Sequence, residues 1–203
     1  MRFEEYIKNY ITSKKGIEHA YFVKNTSLKI FKDLKNILPD NTLLNFENSE
    51  KLITYCALLH DIGNFFTGLN SLKPHNKTGA KLVLENGIED LKENELKIVA
   101  ASIRYHRGSK PKEARHRLYS SLAKADRNKV LVISSLIRLA DALDRGHMQT
   151  AENIVFKYDF DTRTLTLNTD INIMFNKGIK QVFDKKKTLF EDVFKVKVCL
   201  CDE

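Results

Sequence analysis

Leu58-Leu59-His60-Asp61-Ile62-Gly63 is the stretch from which both the fold and the site can be predicted. It places a histidine beside an aspartate at the end of an uncharged apolar run, residues 52–59. Such a run favours a buried helix that ends near Gly63, where the chain can turn away. A buried ionisable pair is costly unless it is compensated, and a divalent cation would compensate it. A hydrogen bond between the two neighbours in an ordinary core is the other interpretation.

The composition is that of an ordinary globular chain with a basic surface. Its 203 residues are enough for one sizeable core, or for a main domain with a small appendage. Lys and Arg number 34 against 26 Asp and Glu, so the formal net charge is +8. This excess favours an anionic partner such as a nucleotide, a nucleic acid or polyphosphate. On net charge alone, however, an ordinary solvated surface is the simpler interpretation.

Cysteine usage and the absence of long apolar runs indicate the compartment. Cys56, Cys199 and Cys201 form neither a disulfide framework nor a zinc-finger spacing, which is typical of a reducing environment. Residues 1–5 do not resemble a signal peptide, and no apolar run approaches the ~18 residues of a membrane span. We therefore expect a cytoplasmic protein with no membrane partner.

Helical periodicity extends over about the first 145 residues, interrupted by turn-forming residues. The predicted elements are a helix over 3–12, a helix between Gly16 and Pro39, the helix ending at His60-Asp61, a loop over 64–74, a helix from His75 to Asn86 capped by Gly87, a helix from Glu93 to Arg107 capped by Gly108, and a helix over 127–145 with Asp126 as its N-cap.

The pattern changes after Gly146. Residues 153–158 and 164–168 alternate or are β-branched and predict a hairpin, residues 172–194 predict a helix, and 195–200 a last strand. The predicted fold class is mainly α, with a helical bundle over residues 1–148 and a small C-terminal α+β appendage (β-β-α-β) over 149–203. The hairpin and last strand could also provide the edge of a homodimer.

Six residues with metal-ligand chemistry stand near the ends of the predicted helices: His19, His60, Asp61, His75, His106 and Asp141. Taken singly, each is more often structural. Helix ends that meet at one cleft would bring these nitrogen and carboxylate ligands together, a set suited to Mn, Fe, Ni, Co, Zn or Mg. Asp61, flanked by histidines in the sequence order, is the natural carboxylate to bridge two ions. Asp144 and His116 are expected to be structural or surface residues.

The order of these residues resembles a known pattern. His19, then His60-Asp61, then Asp141 is similar to the HD-domain metal-dependent phosphohydrolases, whose fold is a helical bundle with the ligands in its core. The added His75 and His106 resemble the binuclear version of that pattern. The resemblance implies one or two divalent ions, with Asp61 and His60 as the central catalytic residues.

A closer resemblance covers almost the whole chain. Residues 58–63, 103–107 and 136–145 are similar to the C-terminal HD region of the exopolyphosphatase and guanosine pentaphosphate phosphohydrolase (Ppx/GppA) family, in which a β-containing tail also follows the last metal aspartate. The N-terminal ASKHA-type domains of that family, which carry polyphosphate hydrolysis, are not among these 203 residues, so that activity is not implied. Asn64 does not match the lysine of the HD-GYP relatives, and no GYP triplet occurs.

The resulting hypothesis is a metal-dependent phosphohydrolase that attacks a phosphoester or phosphodiester of a nucleotide-like substrate with a metal-activated water. The substrate could be a nucleotide monophosphate, a cyclic dinucleotide, an alarmone or another phosphodiester. Basic side chains can bind phosphate oxygens, and guanidinium groups do so bidentately. The candidates are Arg104, Arg107, Lys110 and Arg138. A solvated face is the alternative role for Arg107 and Lys110.

Two other functions are compatible with the sequence. A non-catalytic nucleotide-binding or regulatory HD module, related to the accessory domain of exopolyphosphatases, would keep the site and hydrolyse nothing. An RNA- or DNA-binding protein would use the basic segment 104–117 with Tyr105 and Tyr119 nearby, but no recognised nucleic-acid motif is present.

Overall fold

The chain folds into a bundle of helices that carries a three-stranded sheet formed by its C-terminal part. The structure is a computed structural model and describes residues 1–11, 13–67, 74–144, 154–169 and 177–202. In chain order the elements are α1 (Phe3–Tyr10), α2 (Lys14–Ile37), a 3₁₀ turn (Thr42–Leu44), α3 (Ser49–Leu59), α4 (Ile62–Thr67), α5 (His75–Asn86), α6 (Glu93–Tyr105), α7 (Arg117–Ser120), α8 (Lys124–Leu143), β1 (Ile154–Asp159), β2 (Thr164–Thr169), α9 (Lys177–Lys186), α10 (Thr188–Phe194) and β3 (Lys197–Asp202).

Helix α8 is the central element of the bundle. It packs against α2, α3 and α6, and also against α9 and α10. Every residue from Val132 to Ala140 is buried, so this part of α8 is enclosed on all sides and has no solvated face. Val130, Ile133 and Ile137, which recur at helical spacing, are therefore only part of its buried surface.

Two predicted helix starts differ from the structure. Helix α2 begins at Lys14, because the Ser13 hydroxyl caps it by accepting a hydrogen bond from the Gly16 amide at 3.1 Å. Gly16 consequently lies in the first turn. Helix α8 begins at Lys124, so the prediction of Asp126 as N-cap is wrong. The Asp126 carboxylate instead accepts a hydrogen bond from the side chain of Asn94 at 2.8 Å.

Gly63 has a different role from the predicted one. Helix α4 occupies the first part of the predicted loop over 64–74, and residues 68–73 lie outside the described part of the chain. A Cβ on Gly63 would lie 2.0 Å from the carbonyl oxygen of His75. The glycine is therefore required for the close approach of α4 to the start of α5, which sets His75 beside Asp61.

The C-terminal part confirms the predicted β-β-α-β order. Strand β2 pairs antiparallel with β1 and parallel with β3, so the sheet order is β1-β2-β3. The parallel pair needs a crossover connection, and α9 and α10 provide it. The predicted single helix over 172–194 is thus two helices, with its first residues, 172–176, outside the described range.

The C-terminal elements share one hydrophobic core with the bundle. Phe183 of α9 and Phe190 of α10 are fully buried, as are Leu167 of β2 and Val198 of β3. These residues belong to the same buried cluster as the apolar residues of α8. The predicted domain boundary between residues 148 and 149 lies outside the described residues and stays a prediction.

Among the described helices, none combines the length and the apolar composition needed to cross a bilayer.

Candidate metal centre

The structure brings the six predicted ligands together at one end of the bundle. They form two groups of three, and within each group the ligand atoms lie within 4.8 Å of one another. The first cluster is His19, His60 and Asp141, and the second cluster is Asp61, His75 and His106. The two clusters adjoin, since the ring centroids of His60 and His106 are 5.1 Å apart.

Two of the histidines terminate helices in the same way. His60 follows the last residue of α3 and His106 follows the last residue of α6. Each Nδ1 lies 2.7 Å from the carbonyl oxygen three residues earlier, that of Ala57 and that of Ile103. A carbonyl can only accept, so Nδ1 carries the proton and donates to a carbonyl at the helix end. Nε2 of the neutral ring is then left with a lone pair that faces the site.

His19 is oriented by a buried carboxylate. Its Nδ1 donates to Oδ2 of Asp144 at 2.7 Å, and both side chains are almost fully buried. Asp144 was expected to be structural or exposed, and it is the structural partner of a candidate ligand. Asp144 is the C-cap residue of α8 and follows Asp141 by three positions, and this short spacing is the signal in the sequence for the pair.

The first cluster therefore directs two lone pairs at each other. Nε2 of His19 and Nε2 of His60 are 3.3 Å apart, and Nε2 of His19 is 3.7 Å from Oδ1 of Asp141. Facing lone pairs require a proton or a cation between them. A separation of 3.3 Å suits two imidazole ligands of one ion, with bonds of about 2.1 Å meeting at a little over a right angle. The residues present therefore fit a divalent ion.

The second cluster repeats this arrangement with Asp61 at its inner edge. Nε2 of His75 and Nε2 of His106 are also 3.3 Å apart. Oδ1 of Asp61 lies 3.0 Å from Nε2 of His75 and 3.5 Å from Nε2 of His106. Its other oxygen, Oδ2, lies 3.7 Å from Nε2 of His60. One carboxylate thus presents one oxygen to each cluster.

Burial keeps the innermost histidines neutral. It lowers the pKa of His106 to about 3, with the charge of His60 acting in the same direction. Burial also lowers the pKa of His60, against the opposing charges of Asp61 and Asp141. For His19 burial lowers the pKa too, but the hydrogen bond to Asp144 and the nearby carboxylates outweigh it, so the net pKa is raised. A proton on His19 is accordingly the species with which an ion would compete.

The two candidate carboxylate ligands stay ionised. Partial burial raises the pKa of Asp61, but the neighbouring His60, His75 and His106 outweigh it and hold the pKa well below its ordinary value. For Asp141, burial also raises the pKa, and Lys186 and His60 more than offset it, giving a pKa of about 2. Anionic oxygens beside imidazole nitrogens are a donor set that a divalent transition ion takes.

A cleft of about 420 Å³ opens on the two clusters. Its walls combine ligands with basic side chains, and the lining residues are Asp61, His75, His106, Arg107, Gly108, Arg138, Asp141, Val182, Lys185 and Lys186. Lys185 and Lys186 were not among the predicted site residues. They stand in a charged run, residues 184–187, which in a sequence is typical of a solvated helix face.

Of the four predicted phosphate ligands, two line the cleft. Nη1 of Arg107 lies 3.2 Å from Nδ1 of His75, at the edge of the second cluster. Arg138 is 4% exposed, and its Nε donates to the carbonyl of Tyr105 at 2.8 Å while Nη2 donates to the carbonyl of Gly108 at 3.1 Å. Arg138 therefore fastens the end of α6 and the loop that carries Arg107.

The structure does not bring the other two predicted phosphate ligands to the cleft. The guanidinium of Arg104 lies over the ring of Tyr105, 5.7 Å from its centroid. The ammonium of Lys110 pairs with Asp192 of α10 and lines a separate cavity.

A second cavity, of about 750 Å³, also reaches His60 and Asp61. Its wall is mainly apolar and includes Ile11, Ala20, Leu58 and Phe65. The centre is thus bordered by a polar cleft and by an apolar cavity.

The fold and the site together describe a helical bundle in which two adjoining His/Asp clusters could hold metal ions. Residues 13–183 match the family model described as Ppx/GppA phosphatase, domain III, and the chain belongs to that family. This confirms the predicted relation to the C-terminal region of the exopolyphosphatase family. A search of curated proteins finds no match to the chain.

Proposed function

We propose that this chain is an HD-type metal-dependent phosphohydrolase, acting on a phosphoester or phosphodiester of a nucleotide-like substrate. One observation carries the proposal: side chains from five separate segments direct imidazole Nε2 atoms and ionised carboxylates at two adjoining points. Nε2 of His19 and Nε2 of His60 face each other at 3.3 Å, so either a proton or a cation must lie between them.

The proposed ligands follow the two clusters. His19, His60 and Asp141 would hold one ion, His75 and His106 a second, and Asp61 would give one oxygen to each. Bound ions would supply a water of lowered pKa and stabilise charge that develops on phosphate oxygens. Asp61 and His60 lie at the junction of the clusters and are the proposed catalytic residues through their contact with the ions. The metal could be Mn, Fe, Ni, Co, Zn or Mg.

The chain's own residues would orient the substrate. Arg107 stands at the rim of the cleft beside His75 and can donate paired hydrogen bonds to phosphate oxygens. Arg138 would act indirectly, because its donors hold the loop from which Arg107 projects. The part of the substrate beyond the phosphate would lie in one of the two cavities that border the centre.

A second candidate function is the non-catalytic module that binds a phosphorylated ligand. The observation that favours it is the family match itself, since domain III is one part of a phosphatase. Both candidates predict binding of ions and of phosphate. They differ in turnover alone.

Phosphate release separates the two candidates. The chain, loaded with Mn²⁺ or Ni²⁺, would be assayed against nucleoside mono-, di- and triphosphates, cyclic dinucleotides, guanosine tetraphosphate and nitrophenyl phosphate esters. The proposal predicts turnover by the native chain, with a loss of at least ~100-fold in Asp61→Ala. Asp126→Asn, a buried carboxylate outside the cleft, is the matched control. Absence of turnover from a fully loaded native chain would favour the binding module.

The remaining partner and location hypotheses stay predictions. Nucleic-acid binding through residues 104–117 would give an affinity that falls steeply with salt, which a titration with single-stranded nucleic acid measures. A homodimer and a cytoplasmic location are likewise predictions.

A further inference from the structure

Helix α9, in the C-terminal part of the chain, carries two lysines to the candidate metal centre. Lys185 and Lys186 line the same cleft as Asp61 and Asp141, and Val182, one turn before Lys186, lines it too. The neighbouring Phe183 is fully buried in the shared core. The position of the two lysines is thus set by packing of the helix and not by a free surface.

Lys186 contacts a candidate ligand directly. Its ammonium pairs with Oδ2 of Asp141, while Oδ1 of the same carboxylate faces Nε2 of His19. The two oxygens of Asp141 are therefore divided between the first cluster and α9. The side chain of Lys186 is 19% exposed, so its ammonium lies at the wall of the cleft and not in open solvent.

The charge of the lining indicates the class of ligand. Leaving the histidines aside, two carboxylates face four basic side chains: Arg107, Arg138, Lys185 and Lys186. The wall is therefore electropositive before any divalent ion is added, and an ion would increase this charge. Such a cleft attracts an anion, and of the anions a phosphate group offers enough oxygens for donors on several sides.

We propose that Lys185 and Lys186 bind the phosphate group of the substrate, so that the C-terminal segment forms one wall of the active site. This inference rests on the proposed function and deepens it. The phosphate would lie between α9 on one side and Arg107, which follows α6, on the other. The ligand is an anionic phosphate compound and not a neutral ester. A bundle without α9 would lack these two donors.

A different role is conceivable for Lys186 alone, because neutralising Asp141 would also account for its position. Lys185 resolves this, since it lines the cleft and is exposed, and its side chain is not paired with either candidate carboxylate ligand among the described contacts. A phosphate-binding role predicts an effect at both positions. A purely neutralising role predicts an effect at Lys186 only.

The test is calorimetric titration of inorganic phosphate into the full chain loaded with Mn²⁺. The variants are Lys185→Met, Lys186→Met and the double substitution, with Lys180→Met as the control on an exposed position of the same helix outside the cleft lining. Each substitution removes a charge-assisted hydrogen bond to phosphate. We therefore expect the double variant to bind phosphate at least about tenfold more weakly than the native chain, and Lys185→Met to bind it several-fold more weakly. Lys180→Met is expected to bind as the native chain does.

Metal content is measured on every variant, so that a loss of ions is not mistaken for a loss of phosphate contacts. If Lys186→Met loses an ion, Lys185→Met alone decides the question. Native-like phosphate affinity in Lys185→Met would overturn the proposal, as would absence of phosphate binding to the native chain. The assay needs no turnover. A chain that binds phosphate through these lysines but hydrolyses nothing would contradict the proposed hydrolase activity and still support the phosphate-binding role of the lysines.

Discussion

Single residues determine which ring nitrogens of the centre can accept an ion. His60 and His106 donate from Nδ1 to carbonyl oxygens at the ends of α3 and α6, and His19 donates to Asp144. Each bond fixes the tautomer and turns Nε2 toward the site. The hydrogen-bond partners behind the rings are therefore as important to the centre as the rings themselves.

Substitution of Asp144 tests this role. Asp144→Asn removes the charge behind His19. It is expected to lower the affinity of the first cluster for its ion by about 10- to 100-fold, the usual range when a carboxylate behind a histidine ligand is lost. The second cluster is expected to keep its affinity. Competition titration with a chelator measures both sites, with Asp126→Asn as a buried control outside the centre. Unchanged affinity at both sites would show that Asp144 does not orient His19.

The pH dependence of metal binding follows from the raised pKa of His19. Below that pKa the metal-free ring holds a proton, which an ion must displace. Affinity for the first ion is therefore expected to fall as the pH drops through that pKa, starting above the 6.5 of an ordinary histidine. His60 stays neutral there because burial lowers its pKa. Titrations between about pH 8 and pH 5.5 measure this. A decline that begins only below 6.5 would contradict the assignment to His19.

The six candidate ligands could be named from the sequence, whereas the contact between Asp141 and Lys186 could not. His60 and His106 stand where a helix ends, and this is visible in the apolar run before His60 and in Gly108 after His106. Lys186 reaches Asp141 across 45 positions of sequence. That contact depends on how α9 packs on α8, which no local pattern contains.

Among the elements, the contact of α4 with α5 sets the spacing of the second cluster. Gly63 and Gly79 let the two backbones touch, since a Cβ on Gly79 would lie 3.2 Å from the Gly63 amide. This contact holds His75, the first residue of α5, 3.0 Å from Asp61.

Gly63→Ala tests that contact. The added Cβ would lie 2.0 Å from the His75 carbonyl oxygen, so α4 and α5 must separate and carry His75 away from Asp61. We expect loss of about one ion per chain and destabilisation of about 1–3 kcal/mol, as for other overpacked sites. Asn64→Ala, the next position of α4, is the control. Metal analysis and denaturant unfolding measure the two effects. A variant with native metal content would contradict the role of this glycine.

Periodicity predicts which segments are helical, but it predicts the first and last residues of each helix less well. The start of α8 differs from the predicted one because Asp126 fits the pattern of an N-cap, but its carboxylate accepts a hydrogen bond from Asn94 of another helix. Helix α4 replaces the first part of the predicted loop for a related reason: Gly63 serves a contact between helices and not a turn.

At the scale of the whole molecule, the bundle and the C-terminal elements share one core. Phe183 is fully buried in the cluster that contains the apolar residues of α8. The chain is therefore expected to unfold in one transition, although the sequence suggests a bundle and an appendage.

Phe183→Ala tests this shared core. Removal of a buried phenyl ring costs about 3–5 kcal/mol and is expected to lower the single melting temperature by roughly 6–20 °C. Phe160→Ala, at a ring that is 71% exposed, is the matched control and should change little. Differential scanning calorimetry measures both. Two separate transitions, with the second unaffected by Phe183→Ala, would contradict a shared core.

The central claim is that the two clusters hold divalent ions around Asp61. Its most direct test is metal content per chain by plasma mass spectrometry, on protein purified without chelator, for the native chain and for Asp61→Ala. The account predicts close to two ions in the native chain and close to none in the variant. A content of about one ion in the native chain would support the first cluster as a metal site and would contradict the role of His75 and His106 as ligands. No ion in the native chain, even after reloading with Mn²⁺ or Ni²⁺, would contradict the metal centre and the hydrolase built on it.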